Sequence, residues 1–499
     1  MFFKRLFEAI FLILGLVFTR NIKIEGKKIH LTGPLKLRFF FEKMGGAFMR
    51  FGQVLALRQD FLSYRYSNEL LYLLDQDQPV SYDKIRKVFL EEKNISPETF
   101  FANFENQPIY SSPLAQVYRA FLKDGAEVVV KIQKPEAKKL FEEDFRVLIF
   151  LSLIADFFRL FSKIQIQEIV SQFISWSKYE MDFTIEAKNA FIACKHNEEY
   201  PRTIIPKQYI ELSSPRVLIQ EFISGGVFVA DFIKKRSADI DAQKLSYYLI
   251  FDVMRQYFIE GFFHADPHPS NLIFLPGDKL VYLDFGIVGK SESKRLPYLK
   301  ILYGIAGKDV DCISEGLFGF EENLILGSAR NSFFRTKKEK ESYEKISEKI
   351  KELIMQDLKK DLIKILEKNT GQIFLEIKKL SEKYNIYLPK EIILHLRVLA
   401  SLNSIALEIS PSFDIIKALN YFFERYSQEK VSEIINEGEH EDLQENIIGI
   451  DDQVNWEVFK EIVSLEKEKR AVAKERFIEM ASYYAEKYKE LRSMIKKIK

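Results

Sequence analysis

The sequence predicts an α+β chain in two lobes, the smaller built on strands and the larger on helices. A mostly helical N-terminal extension precedes the lobes and a helical C-terminal tail follows them. Three observations carry this prediction. The β-branched run Glu127-Val128-Val129-Val130-Lys131-Ile132 reads as a strand. The short apolar runs Leu272-Ile273-Phe274 and Val281-Tyr282-Leu283 flank Pro276-Gly277-Asp278 and read as a hairpin. Longer segments, Ala242–Glu260 among them, have the amphipathic spacing of helices.

Taken in order, residues 1–103 form the helical extension, in which Pro34 opens a helix running through Phe51 and Ser81 caps another. Residues 104–226 form the small lobe, with strands near 114–122, 127–133, 206–212 and 216–222. Two long helices, at 135–160 and 166–196, are inserted between its strand pairs, and Gly225-Gly226 marks the hinge. Residues 227–427 form the large helical lobe, closed by helices over Pro389–Glu408 and Pro411–Tyr426. Within it, Lys337–Lys368 alternates charge and reads as a solvated helix. Residues 428–499 hold an acidic linker, Gly438–Asp452, and a Glu/Lys-rich helical stretch, Trp456–Lys499, expected to fold back on the large lobe.

The 499 residues allow two to four domain-sized units, and 47% hydrophobic content supports a substantial core. A net charge of +2 gives no general attraction to nucleic acid. Cys194 and Cys312 lie far apart with no C-x-x-C pair, which fits a reducing compartment. Leu6–Phe18 is apolar but interrupted by Glu8 and flanked by Lys4, Arg5 and Arg20. It falls short of the ~20 residues a bilayer span needs. The expectation is a helix in the membrane interface or docked on the N-terminal domain, with a simple buried helix as the alternative. No other stretch reads as a span, so the chain is expected to be cytoplasmic and peripherally membrane-associated, with residues 6–18 as its candidate anchor.

Chemistry concentrates in His264-Ala265-Asp266-Pro267-His268-Pro269-Ser270-Asn271 and, thirteen residues on, Asp284-Phe285-Gly286. Phosphoryl transfer from ATP needs one carboxylate at the acceptor, and an Asn and a second Asp on the metal ions that bridge the phosphates. Asp266 to Asn271 reproduces the D-x-x-x-x-N spacing of protein kinases, with Ala265 where they carry Arg. Either motif alone is common by chance; both in order around a hairpin are not. A zinc pair of His264 and His268 would need a shared helical face, which Pro267 and Pro269 forbid. Lys131 is the one charge at the end of its strand, placed to meet α- and β-phosphates. Glu186, in the helical stretch Phe183–Ala190, is the partner that would aim it. Taken alone, a solvent-facing Lys and a surface Glu would explain these two residues.

Further motifs extend the pattern: Arg50-Phe51-Gly52-Gln53, followed by Leu57–Leu62 and Glu69-Leu70; Pro108–Ala120; Glu180-Met181-Asp182; Val217–Phe222; and Gly261–Pro269. On these residues, over about 33–425, the chain resembles the UbiB/AarF-type atypical kinases, the ubiquinone-biosynthesis kinase-like proteins. The resemblance implies a bilobed protein-kinase-like fold using ATP or ADP with Mg²⁺. It implies Asp266 and Lys131 as catalytic residues, and Asn271 and Asp284 as metal ligands. Around the nucleotide it implies Ser111, Ser112, Ala115, Val117, Lys131, Glu186 and Glu221. Arg50, Gln53, Glu180 and Asp182 would line the site in a regulatory role. The implied partners are a lipid or small phenolic acceptor, a membrane surface and quinone-biosynthesis proteins.

Three departures bear on this. Arg50 replaces the family's Lys, and a planar guanidinium is not a compact ammonium. Tyr110, Ser111, Ser112 and Pro113 replace the alanines of the nucleotide loop, which leaves the choice between ATP and ADP open. Ser270 replaces a Gly. After Gly286 there is no A-P-E motif and no long activation segment, which argues against docking of protein substrates. Two alternatives stand beside an active kinase or ATPase. One is a nucleotide-binding pseudokinase acting as a lipid or protein-complex switch. The other is an aminoglycoside-type phosphotransferase, against which the Arg50–Gln53 region argues.

Overall fold

The computed structural model describes residues 2–437 apart from 20, 25–26, 57–61, 63, 71, 74–76, 158–165, 198, 237–239, 292–294, 321–336, 368–372, 385 and 387. The predicted linker and tail beyond residue 437, and Leu57–Phe61, therefore lie outside the described residues.

The N-terminal extension runs α1 (Phe2–Phe18), β1 (Asn21–Ile24), β2 (Lys27–His30), α2 (Gly33–Met44), α3 (Gly46–Ala56) and α4 (Tyr64–Leu70). The single helix expected from Pro34 through Phe51 is thus two. It breaks at Gly45 and Gly46, whose φ values of 58° and 55° are left-handed conformations that only glycine adopts freely. A Cβ on Gly46 would also lie 2.4 Å from the Asp144 carboxylate, so the break lets α3 approach a later helix closely.

The small lobe follows with α5 (Tyr82–Lys93), α6 (Pro97–Phe100), β3 (Asn103–Phe104), β4 (Tyr110–Ser111), β5 (Ala115–Phe121), β6 (Glu127–Gln133), α7 (Ala137–Phe157), α8 (Ile166–Glu180), α9 (Phe183–His196), β7 (Thr203–Ile204) and β8 (Val217–Glu221). Ser81 stands at the N-cap of α5 but makes no side-chain cap bond. An antiparallel sheet is ordered β3-β5-β6-β8, with β4 on β5. Residues 206–212 are not the expected strand: they form a single bridge, Gln208 to Gln220, and a 3-10 turn at Ile210–Leu212. Pro206 has no N–H to give a ladder. The helix expected at 166–196 is also two, because Asp182 ends one and caps the next. Helices α7–α9 share an apolar core with α2–α4, in which Phe48, Phe51, Phe141, Phe145 and Phe173 interlock.

The large lobe contains β9 (Val227–Phe228), α10 (Val229–Lys234), α11 (Ala242–Phe258), β10 (Phe262–His264), β11 (Leu272–Leu275), β12 (Lys279–Tyr282), β13 (Val288–Lys290), α12 (Arg295–Gly307), α13 (Val310–Phe318), α14 (Lys337–Glu367), α15 (Ile373–Lys383), α16 (Lys390–Ile409), α17 (Ile415–Arg425) and α18 (Gln428–Glu437). The predicted hairpin is β11–β12, turned through Gly277 and Asp278 with positive φ. Helix α14 is not wholly solvated: Ile354, Leu358 and Leu362 are buried on one face of it. Within α16, Glu391–Ile409 passes the length and composition test for a span, contrary to expectation, but this helix is mostly buried in the lobe. The result is an α+β, bilobed protein-kinase-like fold.

Candidate active site

Alternation along β6 sets the first residue. Val128, Val130 and Ile132 face the sheet core, so Lys131 points out of the other face. Its Nζ lies 2.9 Å from Glu186 Oε2 and 3.4 Å from Asp284 Oδ2. Glu186 is delivered by α9, whose start is fixed by Asp182: Oδ1 accepts from Thr184 N at 3.0 Å and from Thr184 Oγ1 at 2.7 Å. The Asp182 carboxylate is therefore occupied in positioning Glu186. One turn further on, Asn189 donates from Nδ2 to the Phe285 carbonyl at 3.0 Å.

The loop after β10 carries the second group. His264 N donates to Gln256 Oε1 at 2.9 Å, and the buried His264 ring bonds to the Asp284 carbonyl through Nε2. Asn271 Nδ2 donates to Asp266 Oδ2 at 3.0 Å, and Leu283 N donates to the Asn271 carbonyl at 3.0 Å. Gly286 N donates to Asp284 Oδ1 at 2.9 Å. These bonds bring Asp266, Asn271 and Asp284 to one place beside Lys131. A Cβ on Gly286 would meet Asp284 at 3.1 Å and Glu180 at 3.3 Å, which places Glu180 against the same turn.

The N-terminal extension completes the site. Arg50 reaches from α3 to Glu180 Oε2, 2.9 Å from Nη2 and 3.2 Å from Nε, and Nη1 donates to Gln53 Oε1 at 3.1 Å. Gln53 in turn donates to the Leu73 carbonyl at 3.4 Å. Arg50 and Gln53 thus meet Glu180 within the site, while Asp182 stands behind it.

Four carboxyl groups, the buried Glu180 and Glu186 and the half-buried Asp266 and Asp284, face two cations here. Burial works against the Lys131 ammonium, but Asp284 and Glu186 outweigh it and hold its pKa above the ordinary value. Burial also opposes ionisation of Asp284, and there Lys131 and Arg50 prevail and keep it well below the carboxylate range. The excess charge falls on the others. Burial, with repulsion from Asp284, pushes Glu180 and Glu186 up to about 7, and burial raises Asp266. The folded protein then binds more protons than the unfolded chain between about pH 4.5 and 7, so stability falls as pH rises through that window. In nucleotide-free protein, Glu180→Gln is expected to flatten this fall. Unfolding midpoints measured across the same window check it, and a slope identical to the wild type's would contradict it.

The nucleotide loop differs from expectation. Ser112 N donates to the Ala115 carbonyl at 2.8 Å, and Ala115 N donates to Ser112 Oγ at 3.0 Å. Two backbone N–H groups that small residues could offer to phosphate are spent inside the turn. Ser111 is held in β4 opposite Gln116, and Val117 lies opposite Lys131 across the β5–β6 ladder. A strap unseen in the sequence crosses here. Asp77 N donates to the Ser111 carbonyl at 2.8 Å, Lys134 Nζ binds Asp77 at 2.7 Å, and Val80 N donates to Gln116 Oε1 at 2.6 Å. Glu221 is exposed at the end of β8, its carboxylate accepting from Lys207 N at 3.1 Å, and it does not join the cluster.

No group of three or more His, Cys, Asp or Glu among the described residues makes an all-protein metal cage. Mg²⁺ needs no such cage, being usually held by one or two carboxylates together with substrate phosphates. The surplus of carboxylates over cations fits a divalent cation, with Asn271 and Asp284 as the residues that would hold it.

A profile of the ABC1 atypical kinase-like domain matches residues 72–317. The chain is 27% identical over 417 residues to a probable protein kinase UbiB of Pseudomonas aeruginosa, covering 81% of this chain and 74% of the relative. The chain belongs to the ABC1/UbiB family of atypical kinase-like proteins. Another relative is an uncharacterised protein of Clostridium pasteurianum, described by its place in the hydrogenase 1 5′ region. It is 29% identical over 408 residues, 81% of this chain and 72% of the relative. A solved structure, the Rv3197–erythromycin complex from Mycobacterium tuberculosis, aligns with a TM-score of 0.45 at 21% identity, covering 74% of this chain and 91% of that one. An ABC1 atypical kinase-like domain implies nucleotide binding.

Proposed function

We propose that this protein is an ATP-dependent phosphotransferase or ATPase acting on a small non-protein acceptor: water, a lipid head group or a phenolic compound. The observation that carries the reading is the convergence of Lys131, Glu186 and Asp284 beside the Asp266–Asn271 pair. Lys131, aimed by Glu186, holds the α- and β-phosphates. Asn271 and Asp284 would hold Mg²⁺, which would neutralise the charge developing on the phosphates. Asp266 accepts the hydrogen bond of the acceptor hydroxyl and orients its oxygen toward the γ-phosphorus. Its burial makes it a better proton acceptor than a solvated Asp. Arg50 and Glu180 close the space beside Asp266 and Asp284, which supports a small acceptor over a protein one. The UbiB-named relatives support a role in isoprenoid-quinone or lipid metabolism, at the cytoplasmic surface of a membrane.

The test is Mg²⁺-dependent phosphate release from ATP, and from ADP, by the purified protein and by Lys131→Met. Turnover in the wild type and a loss of ~10²-fold or more in the variant is expected. Turnover unchanged in the variant would sink the reading.

One observation favours a second reading. The turn Ser112–Ala115 spends its own N–H groups, which supports a nucleotide-binding switch without turnover. Thermal stabilisation by nucleotide with no phosphate release, membranes present or absent, would select it.

A further inference from the structure

The charged cluster lies inside the site, whereas an apolar face among the described residues is exposed. On α1, Phe3, Phe7, Ile10, Phe11, Leu14 and Phe18 recur at helical spacing on one side, and Phe3, Phe7, Phe11 and Phe18 are 68–82% exposed. The opposite side, centred on the fully buried Ala9, packs on the protein. A second exposed row comes from α7, well over a hundred residues later: Ile149, Phe150, Leu153 and Ile154. The two rows join. The Phe2 ring lies 5.3 Å from that of Phe3 and 6.3 Å from that of Phe150, centroid to centroid. Contiguous apolar surface of this extent marks a binding face.

Charge names the occupant. In sequence, the first thirty residues hold Lys4, Arg20, Lys23, Lys27 and Lys28, besides Arg5, against Glu8 and Glu25, while the whole chain is only +2. The Lys4 side chain is 80% exposed beside the aromatic row. A second copy meeting this face would bring two segments of the same positive charge together. An anionic lipid surface satisfies both the apolar face and the positive charge of this segment.

The helix is also held against spanning the bilayer. Arg5 binds the wholly buried Asp144 of α7 through Nε at 2.7 Å and Nη2 at 3.1 Å, and donates to the Met44 carbonyl at 2.9 Å. Standing α1 upright would strip a buried carboxylate of its partner. Its 17 residues reach about 25 Å, against about 30 Å of hydrocarbon.

We propose that the exposed faces of α1 and α7 form one docking surface for an anionic bilayer, with α1 lying flat in the interface. This rests on the membrane reading above and adds the face, the lipid charge and the depth.

The experiment is co-sedimentation of the full chain with phosphatidylglycerol-containing vesicles and with pure phosphatidylcholine vesicles. It compares the wild type, Phe7→Glu/Phe11→Glu, Leu153→Glu, and Ile363→Glu as a control exposed on α14. Expected is binding to the anionic vesicles that weakens with salt, falls about tenfold or more in the α1 and α7 variants, and is unchanged in the control. Unfolding midpoints report any variant that fails to fold. Vesicle binding that the α1 and α7 variants retain would overturn the face and spare the membrane reading; no binding by the wild type would overturn both. A lipid-free dimer that Phe7→Glu/Phe11→Glu dissociates would assign the face to a second copy. Phe7 and Phe11 shielded from hydroxyl-radical labelling in a lipid-free monomer would assign it to the chain's own segment beyond residue 437. Either result overturns the proposal.

Discussion

Replacing Asp284 with Asn is expected to lower Mg²⁺-dependent phosphate release by ~10²–10³-fold or more while the protein stays folded. Asp284 sits at the crossing of three interactions. Its Oδ2 faces Lys131 at 3.4 Å, its Oδ1 accepts from Gly286 N, and its carbonyl is held by His264. An amide keeps the size and loses the charge. With one carboxylate fewer, Glu186 and Glu180 are repelled less, so the nucleotide-free protein should hold its unfolding midpoint within a few degrees. Phosphate release and thermal unfolding measured side by side separate the two effects. Loss of both together would show that Asp284 is structural, and loss of neither would remove it from the site.

Replacing Arg255 with Met is expected to be the most damaging single change outside the site, destabilising by about 3–5 kcal/mol. Arg255 is 1% exposed, yet it is fully engaged. It binds Asp252 Oδ1 from Nη2 at 2.7 Å and from Nε at 3.0 Å, Asn197 Oδ1 at 3.0 Å, and Glu260, and it stacks 3.7 Å from the Tyr200 ring centre. Removing the guanidinium leaves two buried carboxylates without their cation. The damage should reach the catalytic loop, because Asp252 Oδ2 holds Gln256 at 2.8 Å and Gln256 holds His264 N. Denaturant midpoints and soluble yield test the cost. A shift under 1 kcal/mol would mean the neighbouring groups neutralise themselves by taking up protons.

What the sequence made legible follows from how local each signal is. Asp266, Asn271 and Asp284 flank one hairpin, so spacing alone assembled them. Lys131 was visible because a single charge ended a β-branched strand. The break at Gly45-Gly46 was not visible, since both flanks favour helix and only the approach to Asp144 requires the turn. Residues 206–212 were misread because Ile204, Ile205, Tyr209 and Ile210 have strand propensity, which Pro206 and the packing of η-type Ile210–Leu212 override. Asn189, Gln256 and the Asp77–Lys134 pair were missed for another reason. On a helix or loop, a lone polar residue looks solvated until a partner 96 residues away, as for Asn189, is folded onto it.

Helix α9 carries two grips one turn apart: Glu186 on Lys131, and Asn189 on the carbonyl of the buried Phe285. Helix, strand lysine and D-F-G turn are therefore coupled as one body. A ligand that needs this turn displaced must first break the Asn189 bond and draw Phe285 from the core, so compounds that leave the turn in place are the better starting point for ligand discovery.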